Sequence, residues 1–239
     1  MDYYKAFLEK TEELKNEDSV VAILLIGKTA RAEKQRFNHL NDIDLLVVYE
    51  NNRSFEREIE KIDGVPFDIS YISIFDMITQ VEDRSLIWVN MMMGAKIFYA
   101  ENELIFGIID RVKDIYLNGT GQIKAEELKF IRFNLSQKLI DIENRMHDVV
   151  LSSFLMQRLF MQVLEDYYTL NAIWQPHPKN TFENLDVVDQ KLSHLAKSFV
   201  YECTAKRQFE LLSEMVAYIL EPFGGRLMTW EKGPYNISK

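Results

Sequence analysis

Three carboxylates carry the most chemical promise in this sequence. Asp42 and Asp44 stand two residues apart in Asn41-Asp42-Ile43-Asp44, and Asp68 follows in Val65-Pro66-Phe67-Asp68-Ile69-Ser70-Tyr71. Carboxylates are hard oxygen donors of the kind that Mg²⁺ prefers, and Mg²⁺ sites are commonly completed by substrate phosphates and water. One such ion can neutralise a triphosphate while a second lowers the pKa of an attacking hydroxyl. Upstream, Gly27 ends the apolar run Val20-Val21-Ala22-Ile23-Leu24-Leu25-Ile26 and opens Gly27-Lys28-Thr29-Ala30-Arg31. A glycine there lets backbone approach a phosphate, and a helical turn after it adds N–H donors.

These residues need strands to aim them. Residues 20–26 and 43–49 are nearly continuous apolar runs, rich in β-branched side chains, and read as buried strands. Strand side chains alternate faces, so Asp42 and Asp44 point the same way. Residues 66–73 alternate, with Phe67, Ile69 and Tyr71 opposite Asp68 and Ser70. Around this frame, residues 2–16 read as an amphipathic helix, 33–41 as a polar loop, 54–62 as a short helix, 74–93 as helix in two pieces, and 95–100 as a short edge strand. Beyond residue 101 the period turns helical, over 102–117, 123–148, 150–174, 184–200 and 203–220, with an irregular tail from Pro222 to Lys239 that packs back. The expected class is therefore α/β (α+β), a short mixed sheet with helices, followed by an all-α bundle. Asn118-Gly119-Thr120-Gly121 is the strongest breaker, so the expected domains are 1–118 and 119–239.

Strand, glycine turn, Asp-x-Asp entering a strand and an Asp on a later strand together resemble the polymerase-β-like nucleotidyltransferase superfamily. Its Gly-Ser, gap and Asp-x-Asp signature is matched here by Gly27-Lys28, a gap of thirteen and Asp42-Ile43-Asp44. Asn41-Asp42-Ile43-Asp44-Leu45 is similar to the family's Ser-Asp-Ile-Asp-Leu, and Gly27-Lys28-Thr29-Ala30-Arg31 to its Gly-Ser-x-Ala-Arg. The match covers residues 20–73. The helical second half is similar in outline to that of aminoglycoside and lincosamide nucleotidyltransferases, which confer antibiotic resistance.

The resemblance implies a catalytic domain over 1–118 and a helical substrate or partner domain over 119–239. It implies two Mg²⁺ ions on Asp42, Asp44 and Asp68, with Asp42 and Asp44 bridging both and Asp68 on the hydroxyl side. A nucleoside triphosphate, most often ATP, would then donate NMP to a hydroxyl and release pyrophosphate. Gly27, Lys28, Thr29 and Arg31 become nucleotide-binding candidates. Lys28 departs from the family's Ser: it either binds phosphate as a point charge or salt-bridges an aspartate and marks a degenerate site. Thr29 offers a hydroxyl beside it. Asn171-Ala172-Ile173-Trp174-Gln175-Pro176-His177-Pro178-Lys179 is similar to a segment of such helical domains in which the Lys lies near the nucleotide, which makes Lys179 a phosphate candidate. Glu143, Glu165 and Asp166 are candidates for a general base or for acceptor contacts. Singly, each is also what a solvated helix face carries. Phe154, Phe160 and Tyr167 read as core packing.

Composition narrows the acceptor. The chain of 239 residues is 47% hydrophobic, enough for a sizeable core. Its net charge of −9 argues against nucleic acid and favours a cationic acceptor, while its size and two-domain plan favour a small one. Cys203 is the sole cysteine, so no internal disulfide and no cysteine-based zinc site forms. The opening Met1-Asp2-Tyr3-Tyr4-Lys5 has no signal-peptide pattern, and no apolar run nears the roughly 18 residues of a membrane span. The expectation is a cytoplasmic protein, with a homodimer admitted by the family. Two other readings stay open: an antitoxin-like nucleotidylation of a partner protein, and a catalytically silent nucleotide-binding regulator.

Overall fold

The computed structural model describes residues 2–52 and 54–233. They divide into two compact units, the first ending at Asn118 and the second starting at Gly119.

The first unit is built on strands β1 (Val20–Leu25), β2 (Ile43–Tyr49), β3 (Glu56–Ile62), β4 (Val65–Ser73) and β5 (Lys96–Ala100). They form a five-stranded mixed sheet in the order β3-β4-β2-β1-β5. The β2–β4 pair is parallel and the other pairs are antiparallel. Helix α1 (Tyr3–Lys15) precedes β1, and α2 (Ile74–Glu82), α3 (Leu86–Met93) and α4 (Leu104–Leu117) surround β5 in the chain. Phe7 and Leu14 of α1 pack with Ile43, Leu45, Val47, Phe67 and Ile69 on one sheet face. Leu46, Val48 and Ile72 point the other way and are also buried. Both faces of β2 are thus covered, which is why its sequence is continuously apolar after Asp44.

Residues 54–62 are not the expected helix. They hold strand β3, paired along its whole length with β4. Asp63 and Gly64, with φ of 49° and 80°, make the tight turn between them, as Asp-Gly does when two strands are joined by two residues. The side chains alternate as a strand requires: Glu56, Glu58 and Glu60 against Arg57, Ile59 and Lys61. A charged edge strand also resists pairing with other chains. Glu60 anchors it to α1 through Lys10 at 2.9 Å. Residues 33–41 are more ordered than a loop, with a 3-10 segment, Lys34–His39, seated by buried Phe37.

The second unit contains α5 (Ala125–Glu143), α6 (Val149–Leu170), α7 (Thr181–Val188), α8 (Gln190–Tyr201) and α9 (Ala205–Leu220). Leu135, Leu139, Phe160, Val163, Phe199 and Met215 share one core, with Phe160 and Phe199 stacked at 4.5 Å. The single helix expected over 184–200 is two. Asp189 separates them, accepting from the Leu192 N–H at 2.9 Å as the cap of α8 and taking the Tyr218 hydroxyl at 3.0 Å. Helix α6 stops at Leu170, short of the expected 174, and Ala172 turns left-handed at φ 55°. Phe154 is exposed rather than in the core. The Arg132 guanidinium donates to the Gly224 and Gly225 carbonyls at 2.7 Å each and draws the tail onto α5. The tail expected to pack back extends to residues 234–239, which lie outside the described residues. Among the described residues, no helix is long and apolar enough to cross a membrane.

Candidate metal and nucleotide site

The parallel register of β2 and β4 sets Asp44 directly opposite Asp68. Asp42, just before β2 and two residues from Asp44, projects to the same side. One carboxylate oxygen from each of Asp42, Asp44 and Asp68 lies within 4.8 Å of the other two. Oxygens about 2.1 Å from one octahedral ion stand at most roughly 4.2 Å apart. The cluster is therefore near ligand spacing. The donor set is all oxygen, which suits Mg²⁺ over softer metals. Without a cation the cluster is unfavourable: two like charges at this spacing repel by about 1 kcal/mol in water and about 3 kcal/mol at an effective dielectric of 20.

The turn after β1 is tied to Asp44 at three points. Asp44 carbonyl oxygen accepts from Ile26 N–H at 3.3 Å. Asp44 N–H donates to Thr29 Oγ1 at 2.8 Å. Gly27 has φ +58°, and a Cβ there would stand 2.7 Å from Asp44 Oδ2. Glycine is thus required twice, by its dihedral and by the room its missing side chain leaves for the carboxylate. Thr29, a candidate to offer its hydroxyl to a phosphate, is fully buried, and its Oγ1 accepts the Asp44 N–H. Thr29→Val keeps the shape but leaves the Asp44 N–H without its acceptor. The expected cost is about 1–3 kcal/mol, read as a lowered denaturation midpoint with an unchanged m-value.

Lys28 follows Gly27 on the surface, and among the described residues it forms no ion pair with the aspartates. Arg57, not among the residues singled out from the sequence, does pair with one of them, Asp68. Its Nε donates to Asp68 Oδ1 at 2.7 Å and its terminal nitrogen to Oδ2 at 2.5 Å. Arg57 sits opposite Ser70, so it reaches diagonally along β4 to Asp68. The Asp68 hydrogen bonds raise the Arg57 pKa above its ordinary value, with Asp44 and Asp42 adding through space. The alternation in residues 56–62 was the signal that placed Arg57 on the Asp68 side. The helical reading of that segment hid it.

Arg31 closes a 3-10 turn, Thr29–Arg31, and is exposed. The remaining candidates belong to the second unit. Glu143 ends α5, and Glu165 stands on α6; both are exposed. Asp166, also on α6, accepts from Gln162 Nε2 at 3.1 Å. Lys179 lies in an exposed 3-10 turn, Pro178–Asn180, its N–H donated to His177 Nδ1 at 3.3 Å. Glu17, Tyr49, Glu56, Arg57, Glu58 and Tyr71 line a cavity of about 540 Å³. Its tyrosine hydroxyls are already donated, Tyr49 to Glu17 at 2.5 Å and Tyr71 to Glu58 at 2.7 Å.

No family model matches the sequence, and no curated protein matches it. Among solved structures the chain is similar to a nucleotidyltransferase-like protein from Exiguobacterium sibiricum 255-15, with 10% sequence identity and a TM-score of 0.49 over 92% of this chain and 74% of that one.

Proposed function

We propose that Asp42, Asp44 and Asp68 form a divalent-metal site for nucleotidyl transfer, moving NMP, most often AMP, from a nucleoside triphosphate to a hydroxyl. The observation that carries this reading is the convergence of three carboxylates within 4.8 Å beside a glycine turn built against one of them. When bound, Mg²⁺ would neutralise the triphosphate and lower the pKa of the attacking hydroxyl. Asp42 and Asp44 would hold both ions, with Asp68 completing the hydroxyl side. Gly27 leaves backbone open to approach, while Lys28 and Arg31 supply exposed positive charge after the turn. The motif resemblance and the charge of −9 point to a small cationic or polyhydroxyl acceptor, of which aminoglycosides and lincosamides are the first to try.

The test is incubation with labelled ATP, Mg²⁺ and a panel of both drug classes. A labelled drug is the expected product. Labelling of a co-purifying protein instead would favour partner modification. Absence of ATP binding with either Mg²⁺ or Mn²⁺ would sink both enzyme readings. Glu143, Glu165, Asp166 and Lys179 are then scanned by single substitution for effects on acceptor and nucleotide use. One observation favours a second reading, a nucleotide-binding protein without transfer: the Arg57 fork already engages both oxygens of Asp68. ATP binding with no labelled product from any acceptor is its signature.

A further inference from the structure

We propose that the acceptor is a small polyol bearing a phosphate, such as a sugar phosphate, and that Arg57 and Lys61 of β3 are the residues that select it. This rests on the reading of the three aspartates as a nucleotidyl-transfer site and names the class of its second substrate. The strands run β3-β4-β2-β1 across this part of the sheet. The Gly27 turn follows β1, on the Asp44 side, while β3 is the edge strand beside Asp68. An acceptor hydroxyl brought to Asp68 from the side away from the glycine turn therefore crosses β3.

Strand β3 sorts its charges by face. Its register on β4 sets Arg57, Ile59 and Lys61 opposite Ser70, Asp68 and Pro66, and Glu56, Glu58 and Glu60 opposite Tyr71, Ile69 and Phe67. Residues paired across two strands project to the same side. Both cations of β3 thus share the side of Asp68, and its three glutamates face away, Glu60 toward Lys10 of α1.

Arg57 and Lys61 stand about 13 Å apart along the strand, with Ile59 between them and 72% exposed. The face is an apolar floor for a carbon skeleton with a cation at either end. The Arg57 fork on Asp68 uses two of the guanidinium's five N–H donors, and the side chain is 56% exposed, so its outer edge faces solvent. Guanidinium and ammonium groups both bind phosphate, the first as a planar fork and the second as a point charge. An acceptor feels mainly the charges within a Debye length, about 8 Å at physiological salt. These two cations therefore outweigh the net charge of −9 spread over the whole chain, and the acceptor's charge turns from positive, as composition alone favours, to negative.

The probe is glycerol phosphate, which carries hydroxyls and a phosphate on one short carbon chain. It is added to the full chain loaded with Mn²⁺ and a saturating non-hydrolysable nucleoside triphosphate analogue, so that the nucleotide position is filled. Relaxation of the probe's ³¹P resonance by Mn²⁺ reports binding beside the metal. Wild-type protein is expected to relax the probe saturably, and glycerol should not compete. Lys61→Gln and Arg57→Gln should each weaken the probe by about tenfold, the size of one lost charge-assisted hydrogen bond, and Lys61→Glu should weaken it further. Lys113→Gln, which removes a surface charge on α4, is the control and should leave the probe unchanged. Circular dichroism melts establish that each variant is folded. No saturable relaxation with Mn²⁺ and analogue bound, or a probe affinity unchanged in Lys61→Gln and Lys61→Glu, would overturn the phosphate-bearing acceptor while leaving the transfer reading standing. Labelled transfer to a cationic drug that Lys61→Glu leaves undiminished would do the same. Failure of the wild type to bind Mn²⁺ or the analogue would overturn the transfer reading itself, and the proposal with it.

Discussion

Asp44→Asn is expected to lower transfer by on the order of 1,000-fold, equivalent to about 4 kcal/mol of transition-state stabilisation. Asp44 holds the centre of the cluster, opposite Asp68 and two residues from Asp42, with one carboxylate oxygen against Gly27. An amide keeps the shape but removes the negative charge and replaces one oxygen donor with an N–H₂ group. The fold should survive, because Asp44 N–H and carbonyl contacts to Thr29 and Ile26 are made by backbone. The check is a turnover assay alongside Mn²⁺ binding and a thermal melt. Retained transfer with a normal melt would sink the metal-dependent mechanism. Lost transfer with weakened Mn²⁺ binding and an unchanged melt is the expected pattern. A lower melting temperature would instead mean that the carboxylate supports the turn.

Gly27→Ala should damage both the fold and the site. A non-glycine residue at φ +58° costs about 1–2 kcal/mol for the left-handed backbone alone. The added Cβ would also meet Asp44 Oδ2 at 2.7 Å, too close for an unbonded carbon and oxygen. The carboxylate can rotate, so the clash falls on the one side chain whose position matters most. Two readouts separate the effects. A denaturant titration is expected to show a loss of at least about 1 kcal/mol, and Mn²⁺ affinity is expected to fall further than in a variant equally destabilised elsewhere. Thr29→Val is a suitable comparison for the backbone side of the same turn, since it loosens Asp44 from below rather than pushing its carboxylate. If Gly27→Ala leaves stability and Mn²⁺ affinity both unchanged, the turn does not hold Asp44 as its geometry indicates.

Much of the fold could be read along the chain. The apolar runs of β1 and β2, the alternation of β4 and the helical period after residue 101 each show a local period, and local periods survive into the structure because burial of a face demands them. That Asp42 and Asp44 share a side was expected from a period of two, and the structure brings their oxygens together although Asp42 lies just outside β2. The reading failed where charge masked the period. Residues 56–62 carry few apolar side chains, so the alternation of Glu56, Glu58 and Glu60 with Arg57, Ile59 and Lys61 was overlooked. Residues 184–200 failed for another reason: the helical period continues through Asp189, and only the capping and the Tyr218 hydroxyl show that the chain breaks there.

By itself, the sequence determined the residue types at the site, the strands that carry the aspartates and the glycine before them, because each is a local property of composition and spacing. Tertiary structure alone decided three things. It set Asp68 against Asp44 rather than a residue to either side, through the parallel register of β2 and β4. It set the Thr29 hydroxyl oxygen to accept the Asp44 N–H. Among the described residues, it set Arg57 rather than Lys28 on Asp68. The physical reason is common to all three. Register and cross-strand pairing join residues distant in the chain, and the free energy that selects them comes from the whole packed sheet, which no single segment encodes.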